Sequence, residues 1–480
     1  MRLIGIASRP IWYDEAFAIL FSEKGPGQML YGTLAPTGVG SADIHPLGYY
    51  TLLWSWMKIF GESLIAVRML SILAGTASVA LVYLIAVELF DPKTAKTAAL
   101  LMALAPFQIH YAQEIRMYAF LALWLLIATY AYLRGSASGK WRWWIVFGIT
   151  AALAQYTHNL ASFFLIPLVI TSILKRDWKT ARSVFFSGCF AILLYLPWLI
   201  QLPAQLAKID QAYWVMKPGI DSLFTLLLVF TTNTPLPSEW VMPALILAIL
   251  IIVFALMQTI RAERSGTFKA SNLWVLYLSF APPAFLFLFS QWKPVYIERA
   301  LLPSGVFFCI WLAWTIHHTG LSKTGRGIML AMIAVAFTIG IYQHVTYHGF
   351  PYGPFNEIDA YLKQRIQPGD LILHSNKLSM LPAVYFDRDL PQTFLADPPG
   401  SGTDTLAPAT QEVLNIGAEP DIRSAVSRAD RVLYIIFQQS IDEFIQAGKD
   451  THPDIEFLVS EFNLESQETW NDIQILVFVR

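Results

Sequence analysis

The chain has 480 residues, of which 55% are hydrophobic and 14% charged, against about 25% charged in an ordinary soluble domain. With a mean hydropathy of +0.49, that composition excludes a water-soluble globular protein as a description of the whole chain. A formal net charge of -1 offers no electrostatic basis for a nucleic-acid partner.

Phe, Trp and Tyr make up 14% of the residues, as expected where aromatic rings anchor helices at a lipid–water boundary. Cys189 and Cys309 both lie in apolar runs. They are expected to be packed thiols, since two such residues build neither a disulfide framework nor a metal knuckle. Met1–Tyr13 lacks the apolar core and cleavage site of a signal peptide.

A helix needs about 20 mostly apolar residues to cross hydrocarbon. That ruler predicts ten spans, at 64–90, 97–113, 117–134, 142–158, 160–174, 183–202, 240–260, 272–291, 300–317 and 326–345. The apolar run from Pro46 to Phe60 is too short for a span and reads as an interfacial or re-entrant helix. Basic residues cluster in alternate loops: Lys93 and Lys96; Arg134, Lys140 and Arg142; Lys175, Arg176, Lys179 and Arg182; Arg261, Arg264 and Lys269; Lys323 and Arg326. If the spans alternate, these five loops share one side, which the positive-inside rule makes the cytoplasm.

After His348 the run HGFPYGPF breaks the last helix, and the composition becomes that of a soluble domain. DLILHS, AVYFDR, RVLYIIFQ and DIQILVFVR read as strands; NEIDAYLKQRI, EPDIRSAVSRA and SIDEFIQAGK read as helices. The Pro/Gly/Ser/Thr-rich stretch 396–408 reads as a loop. The predicted fold class is therefore a polytopic α-helical membrane protein with a small C-terminal extracytoplasmic α/β domain. Its membrane domain takes residues 1–348, with a first outer loop at 14–62, and the α/β domain takes 349–480. Placing Asp14 outside requires one crossing before it, which thirteen residues cannot make, so either a preceding helix is expected or Met1–Tyr13 is the stub of one, and the order of the motifs favours the preceding helix.

The base-poor side gathers ionisable residues from four outer segments. They are Asp14 and Glu15; His45; His110, Glu114 and Arg116; His158; and Glu298 with Arg299, with Arg68 near the outer end of its span. A charge at bilayer depth costs about 2.5–3.5 kcal/mol, so such residues face protein or a water-filled cavity. Each alone reads as a headgroup-boundary residue. Adjacent acids between Trp12 and Phe17 resist that account, and the set together suggests a cleft.

In order, Asp14-Glu15, DIHPLGYY (43–50), HYAQEIRMY (110–118), YTHN (156–159) and KPVYIERALLPSG (293–305) resemble the GT-C superfamily of membrane glycosyltransferases. Within it they resemble the bacterial protein-O-mannosyltransferase-like and aminoarabinose-transferase-like branch, glycosyltransferase family 39-like, over residues 11–345. The resemblance implies transfer of a sugar from a polyprenyl phosphate to an acceptor hydroxyl on the outer membrane face, with inversion. The sugar would be a mannose-like hexose or a modified pentose, and the acceptor a lipid, glycan or protein. It implies Asp14 as the base, with Glu15 beside it and Glu114 as the acid nearest the family's second acidic position, about a turn away from it. Arg116, Arg299 and Arg68 become phosphate clamps, because a guanidinium grips phosphate through two hydrogen bonds. His45, Tyr118, His158 and Glu298 line the donor–acceptor cleft. Where the family writes His-Pro-Pro-Leu, this chain has His45-Pro46-Leu47, one proline short.

The implied location is the inner membrane, with the bilayer itself a partner. No cofactor is required; a divalent ion on Asp14, Glu15 and His45 is an optional addition. His344 and His348 have the i, i+4 spacing of a metal pair without an evident third ligand. Gly38 and Gly40 lie in a loop without the strand–turn–helix context of a phosphate cradle. His317 and His318 read as cytoplasmic boundary residues. A lipid or sugar transporter is the rival reading, but the ionisable residues sit at one surface and no inverted repeat is visible. A non-catalytic scaffold is the third.

Overall fold

The computed structural model describes residues 1–35, 45–211, 215–266, 269–397 and 406–480. The expected loop 396–408 and the Gly38–Gly40 stretch fall largely or wholly outside them. The chain forms two compact units. One comprises Met1–Ile6, Ser63–Leu202 and Val215–Tyr347; the other comprises Ala7–Glu62, Pro203–Trp214 and His348–Arg480.

The first unit is helical. Among the described residues, seven helices are long and apolar enough to cross a membrane: Leu64–Leu89, Tyr118–Ser138, Trp178–Leu199, Ser238–Arg264, Ala270–Ser290, Glu298–His318 and Lys323–Thr346. The other three expected spans are helical but shorter. Residues 97–113 break into Pro92–Leu104 and Pro106–Gln113. Pro106 has no N–H to donate, and it pushes Ala105 into an extended conformation (φ -61°, ψ 123°). Trp141–Thr157 has 17 residues, and Asn159–Leu174 is also below spanning length.

The Glu298–His318 segment is central: 94% of its most apolar stretch is buried, against 22% for Trp178–Leu199 and Ser238–Arg264. Trp311 donates its indole N–H to Thr259 Oγ1 at 3.1 Å. At the end rich in basic loops, His318 lies 2.8 Å from Asp91, whose carboxylate also caps the Pro92–Leu104 helix. Gly340 lets the last helix pass its neighbours; a Cβ there would fall 2.0 Å from the Thr232 carbonyl oxygen. Cys309 is buried as expected. Cys189 is exposed, on a helix that is mostly outside the packed core, so the packed-thiol expectation fails there.

The second unit contains a six-stranded mixed sheet: β1 (Leu371–His374), β2 (Gln392–Leu395), β3 (Ala418–Glu419), β4 (Arg431–Phe437), β5 (Asn463–Trp470) and β6 (Ile473–Val479), in the order β3-β2-β1-β4-β6-β5. The β1, β2, β3 and β4 pairings are parallel; β6 is antiparallel to both β4 and β5. Alternation along β4 serves two cores. Leu433, Ile435 and Phe437 pack with Phe355, Ile358 and Leu362 of the Phe355–Arg365 helix. Val432, Tyr434 and Ile436 pack with Leu458 and Phe478 on the other face.

The expected strand AVYFDR is instead the end of the Lys377–Phe386 helix. Asn376 caps that helix by accepting the Leu378 N–H at 2.9 Å, and Met380, Leu381 and Val384 bury at helical spacing. The same unit holds the Tyr13–Glu23, Gly25–Leu34 and Gly48–Phe60 helices. The last of these is the expected short helix.

His374 is fully buried on β1, with Nδ1 3.1 Å from Ser379 Oγ and Nε2 3.2 Å from Gln392 Oε1. Burial pushes its pKa down from 6.5 to about 4. Between those values the unfolded chain binds a proton that the folded domain refuses, so stability falls as pH drops through this window and the loss is complete below it. The whole shift amounts to about 3 kcal/mol. Thermal unfolding midpoints at pH 7 and pH 4.5 are expected to differ markedly in the native chain and less in His374→Gln. An equal drop in both would remove His374 as the cause.

Candidate active site

Asp14, Glu15 and His45 belong to the unit that carries the sheet; Arg68, His110, Glu114, Arg116, Tyr118, His158, Glu298 and Arg299 belong to the helical unit. Each group has its own construction.

In the sheet-bearing unit, the chain enters the Tyr13–Glu23 helix through an extended Trp12, which places Asp14 and Glu15 in the first turn. The amino end of a helix and its dipole favour negative charge there. Asp14 is 9% exposed and Glu15 is fully buried. The helix is held from behind by rings: Phe17 stacks on Phe21 at 5.1 Å, and Tyr50 of the Gly48–Phe60 helix meets both edge-on. Ahead of it, Trp12 packs edge-on against Tyr352, whose hydroxyl is hydrogen-bonded by Arg9. His45 is half-buried just before the Gly48–Phe60 helix.

Two buried carboxylates need compensation, and the same unit supplies a cation that sequence reading did not single out. Lys377 is the first residue of the Lys377–Phe386 helix, which packs against the Tyr13–Glu23 helix. Lys377 is only 5% exposed, and its Nζ lies 5.4 Å from the centre of the Tyr13 ring. Burial pushes its pKa down to about 7, while the charges of Asp397 and Asp14 pull the other way.

In the helical unit, the Pro106–Gln113 helix and the turn after it carry a buried network. His344 lies with Nε2 2.7 Å from Gln113 Oε1 and Nδ1 3.2 Å from His110 Nδ1. His110 Nε2 is 3.1 Å from Glu114 Oε1. Gln113 spends its amide donors on the carbonyls of Arg2 and Ile4 at 2.9 and 2.8 Å, which leaves its oxygen to accept from His344.

The rings continue the chain. Tyr111 is 5.4 Å from Tyr118, Tyr118 is 5.8 Å from His158, and the Arg299 guanidinium lies 5.3 Å from the Tyr118 ring centre. His158 also caps the short turn that follows it, its Nδ1 accepting the Leu160 N–H at 3.1 Å. Arg116 is 4% exposed, and its carbonyl accepts from Ser71 Oγ at 3.5 Å. Arg68, one turn before Ser71, is fully buried and donates to the Ile6 carbonyl at 2.8 Å. Glu298 is half-buried at the start of the 3-10 turn that carries Arg299.

Structure thus brings together His110 with Glu114, and Tyr118 with His158 and Arg299. It adds His344, which no spacing rule pairs with residues 110 and 113. Among the described residues no group of three or more His, Cys, Asp or Glu side chains is arranged to hold a metal ion.

Residues 44–201 match the family described as dolichyl-phosphate-mannose-protein mannosyltransferase. The chain is 27% identical over 307 residues to an undecaprenyl phosphate-alpha-4-amino-4-deoxy-L-arabinose arabinosyl transferase of Pseudomonas aeruginosa, covering 61% of this chain and 54% of that protein. A namesake from Pseudomonas paraeruginosa is 29% identical over 177 residues, covering 35% of this chain and 32% of its own length. The chain thus spans about half the length, or less, of these curated relatives. In fold it is similar to ArnT from Cupriavidus metallidurans in the apo state, with a TM-score of 0.66 and 12% identity over 99% of this chain and 95% of that one. The same protein bound to undecaprenyl phosphate gives a TM-score of 0.64, again at 12% identity over 99% and 95% of the two chains. The oligosaccharyltransferase of Archaeoglobus fulgidus gives 0.51, at 12% identity over 98% of this chain and 70% of that one. Over part of its sequence the chain thus resembles protein-mannosyltransferase-like and aminoarabinose-transferase-like membrane proteins, and over nearly all of its length it has an ArnT-like fold.

Proposed function

We propose that this protein is an inverting glycosyltransferase that takes a sugar from a polyprenyl phosphate and gives it to an acceptor hydroxyl on the outer face of the inner membrane. The observation that carries the reading is the buried acid pair Asp14–Glu15 at a helix start, in a chain whose relatives are named for undecaprenyl-phosphate sugar transfer. A sugar–phosphate bond already has a good leaving group. The acceptor oxygen attacks the anomeric carbon as the carbon–oxygen bond to phosphate breaks, and the electron pair leaves with polyprenyl phosphate. Asp14 takes the acceptor's proton. Arg116, Arg299 and Arg68 neutralise the departing phosphate. Glu15, Glu114, His45, Tyr118, His158 and Glu298 line the places where donor and acceptor bind.

The donor is a mannose-like hexose or a modified pentose on its lipid, and the acceptor is a lipid, glycan or protein. Functionally we assign residues 1–348 to the transferring membrane domain, and residues 349–480 to an extracytoplasmic domain that shares acceptor choice with the segment 203–239. The test is reconstitution of the chain in vesicles with undecaprenyl-phosphate-linked mannose or 4-amino-4-deoxy-arabinose and an inner-membrane extract as acceptor. Labelled sugar is expected to move to the extract as undecaprenyl phosphate is released. Passage of the intact lipid-linked sugar across the bilayer, with its phosphate bond unbroken, would favour a transporter instead.

A further inference from the structure

We propose that His344 and Gln113 are positioning residues for Glu114: acting through His110, they hold its carboxylate in one place at the donor–acceptor site. This rests on the reading of Glu114 as a residue of that site.

The contacts form one unbroken line inside the helical unit. Arg2 donates to the Met102 and Ala103 carbonyls at 3.3 and 3.2 Å, where Pro106 has no N–H to offer the Met102 oxygen. The carbonyls of Arg2 and Ile4 in turn accept from the Gln113 amide at 2.9 and 2.8 Å. That fixes the Gln113 oxygen 2.7 Å from His344 Nε2. The other nitrogen of that ring, Nδ1, lies 3.2 Å from His110 Nδ1, and His110 Nε2 lies 3.1 Å from Glu114 Oε1. All four ring nitrogens are engaged, so neither imidazole turns without breaking a contact. Glu114 itself follows the last residue of the Pro106–Gln113 helix, the end at which the dipole opposes a carboxylate. It is nevertheless only 1% exposed. His344 lies in the last turn of the spanning helix Lys323–Thr346. Ionisable residues in such segments are costly, and apolar side chains would pack these helices without burying any polar group. An acid kept at an unfavourable helix end, and tied through His110 to a residue 234 positions beyond that histidine, marks a functional placement.

The experiment is a double-mutant cycle on sugar transfer in the full reconstituted chain, with His344→Phe, Glu114→Gln and the two combined. His344→Phe keeps a ring of similar size and removes both nitrogens. It is expected to lower kcat/KM by about 10- to 100-fold, the cost of misplacing a group by on the order of 1 Å. Glu114→Gln should cost at least as much. In the Glu114→Gln background, His344→Phe should change kcat/KM by no more than about twofold, because a residue that acts through Glu114 has nothing left to position. A purely structural role gives the same loss in both backgrounds, and that additivity overturns the proposal. So does a native rate in His344→Phe. If the phenylalanine variant does not fold, His344→Asn, too short to span from Gln113 to His110, carries the same cycle. Native transfer by Glu114→Gln would remove Glu114 from the site and this inference with it. An impaired Glu114→Gln beside a fully active His344→Phe would sink only this inference, and no transfer by the native chain would sink the functional reading itself.

Discussion

Asp14→Asn is expected to lower sugar transfer by about 10²–10⁴-fold, the usual contribution of a positioned general base. Asparagine keeps the size of the side chain and its ability to accept a hydrogen bond, but at neutral pH it cannot take up a proton. Asp14 lies in the first helical turn, 9% exposed, on a helix fixed by Phe17, Phe21 and Tyr50. None of those contacts uses its carboxylate, so the fold should survive the change. Donor binding should change little, which separates loss of the base from loss of the site. Initial rates of polyprenyl-phosphate release, measured beside a thermal melt, check the point. A variant that transfers at the native rate would remove Asp14 as the base.

Arg299→Met should lower kcat by about 10²–10³-fold, the cost of removing one preorganised donor from developing charge. Methionine retains the aliphatic stem that follows the chain into the 3-10 turn Glu298–Leu301. It removes the guanidinium, which lies 5.3 Å from the centre of the Tyr118 ring. Tyr118 is itself fully buried and in ring contact with His158, so the arginine projects toward a preformed aromatic surface. Arg299→Lys should recover only part of the rate, because an ammonium lacks the planar fork that binds two phosphate oxygens. The same release assay across a range of donor concentrations gives kcat and KM for each variant. Rates within twofold of native in Arg299→Met would take this residue out of the phosphate clamp.

Much of the fold was legible beforehand because lipid imposes a simple rule. A helix that crosses hydrocarbon must satisfy its own backbone and be apolar for about 20 residues. The long helices at Leu64–Leu89 and Ser238–Arg264 follow from that rule alone. The same rule is blind to a local break, as at Ala105–Pro106, where proline splits one expected span into two helices. In the sheet, β4 and β6 announce themselves by unbroken apolar character, since both their faces are covered. Edge strand β5, NLESQETW, escapes notice because its side chains are mostly polar and exposed. AVYFDR misleads in the other direction, since six residues with strand propensity yield to a capped helix that begins before them.

The candidate site divides in the same way. Asp14, Glu15, Glu114 and Arg116 stand out in the sequence because ionisable residues in an apolar chain are costly, and cost is visible residue by residue. The amino-acid sequence by itself therefore determined the membrane class, the acid pair and the order of the motifs. Only the tertiary structure decided that His344 joins His110 and Gln113, and that Lys377 packs beside the helix of Asp14. Those partners lie 234 and 363 residues apart along the chain. Hydropathy and helical spacing act over a turn or a span, whereas such contacts arise only when distant elements pack against one another.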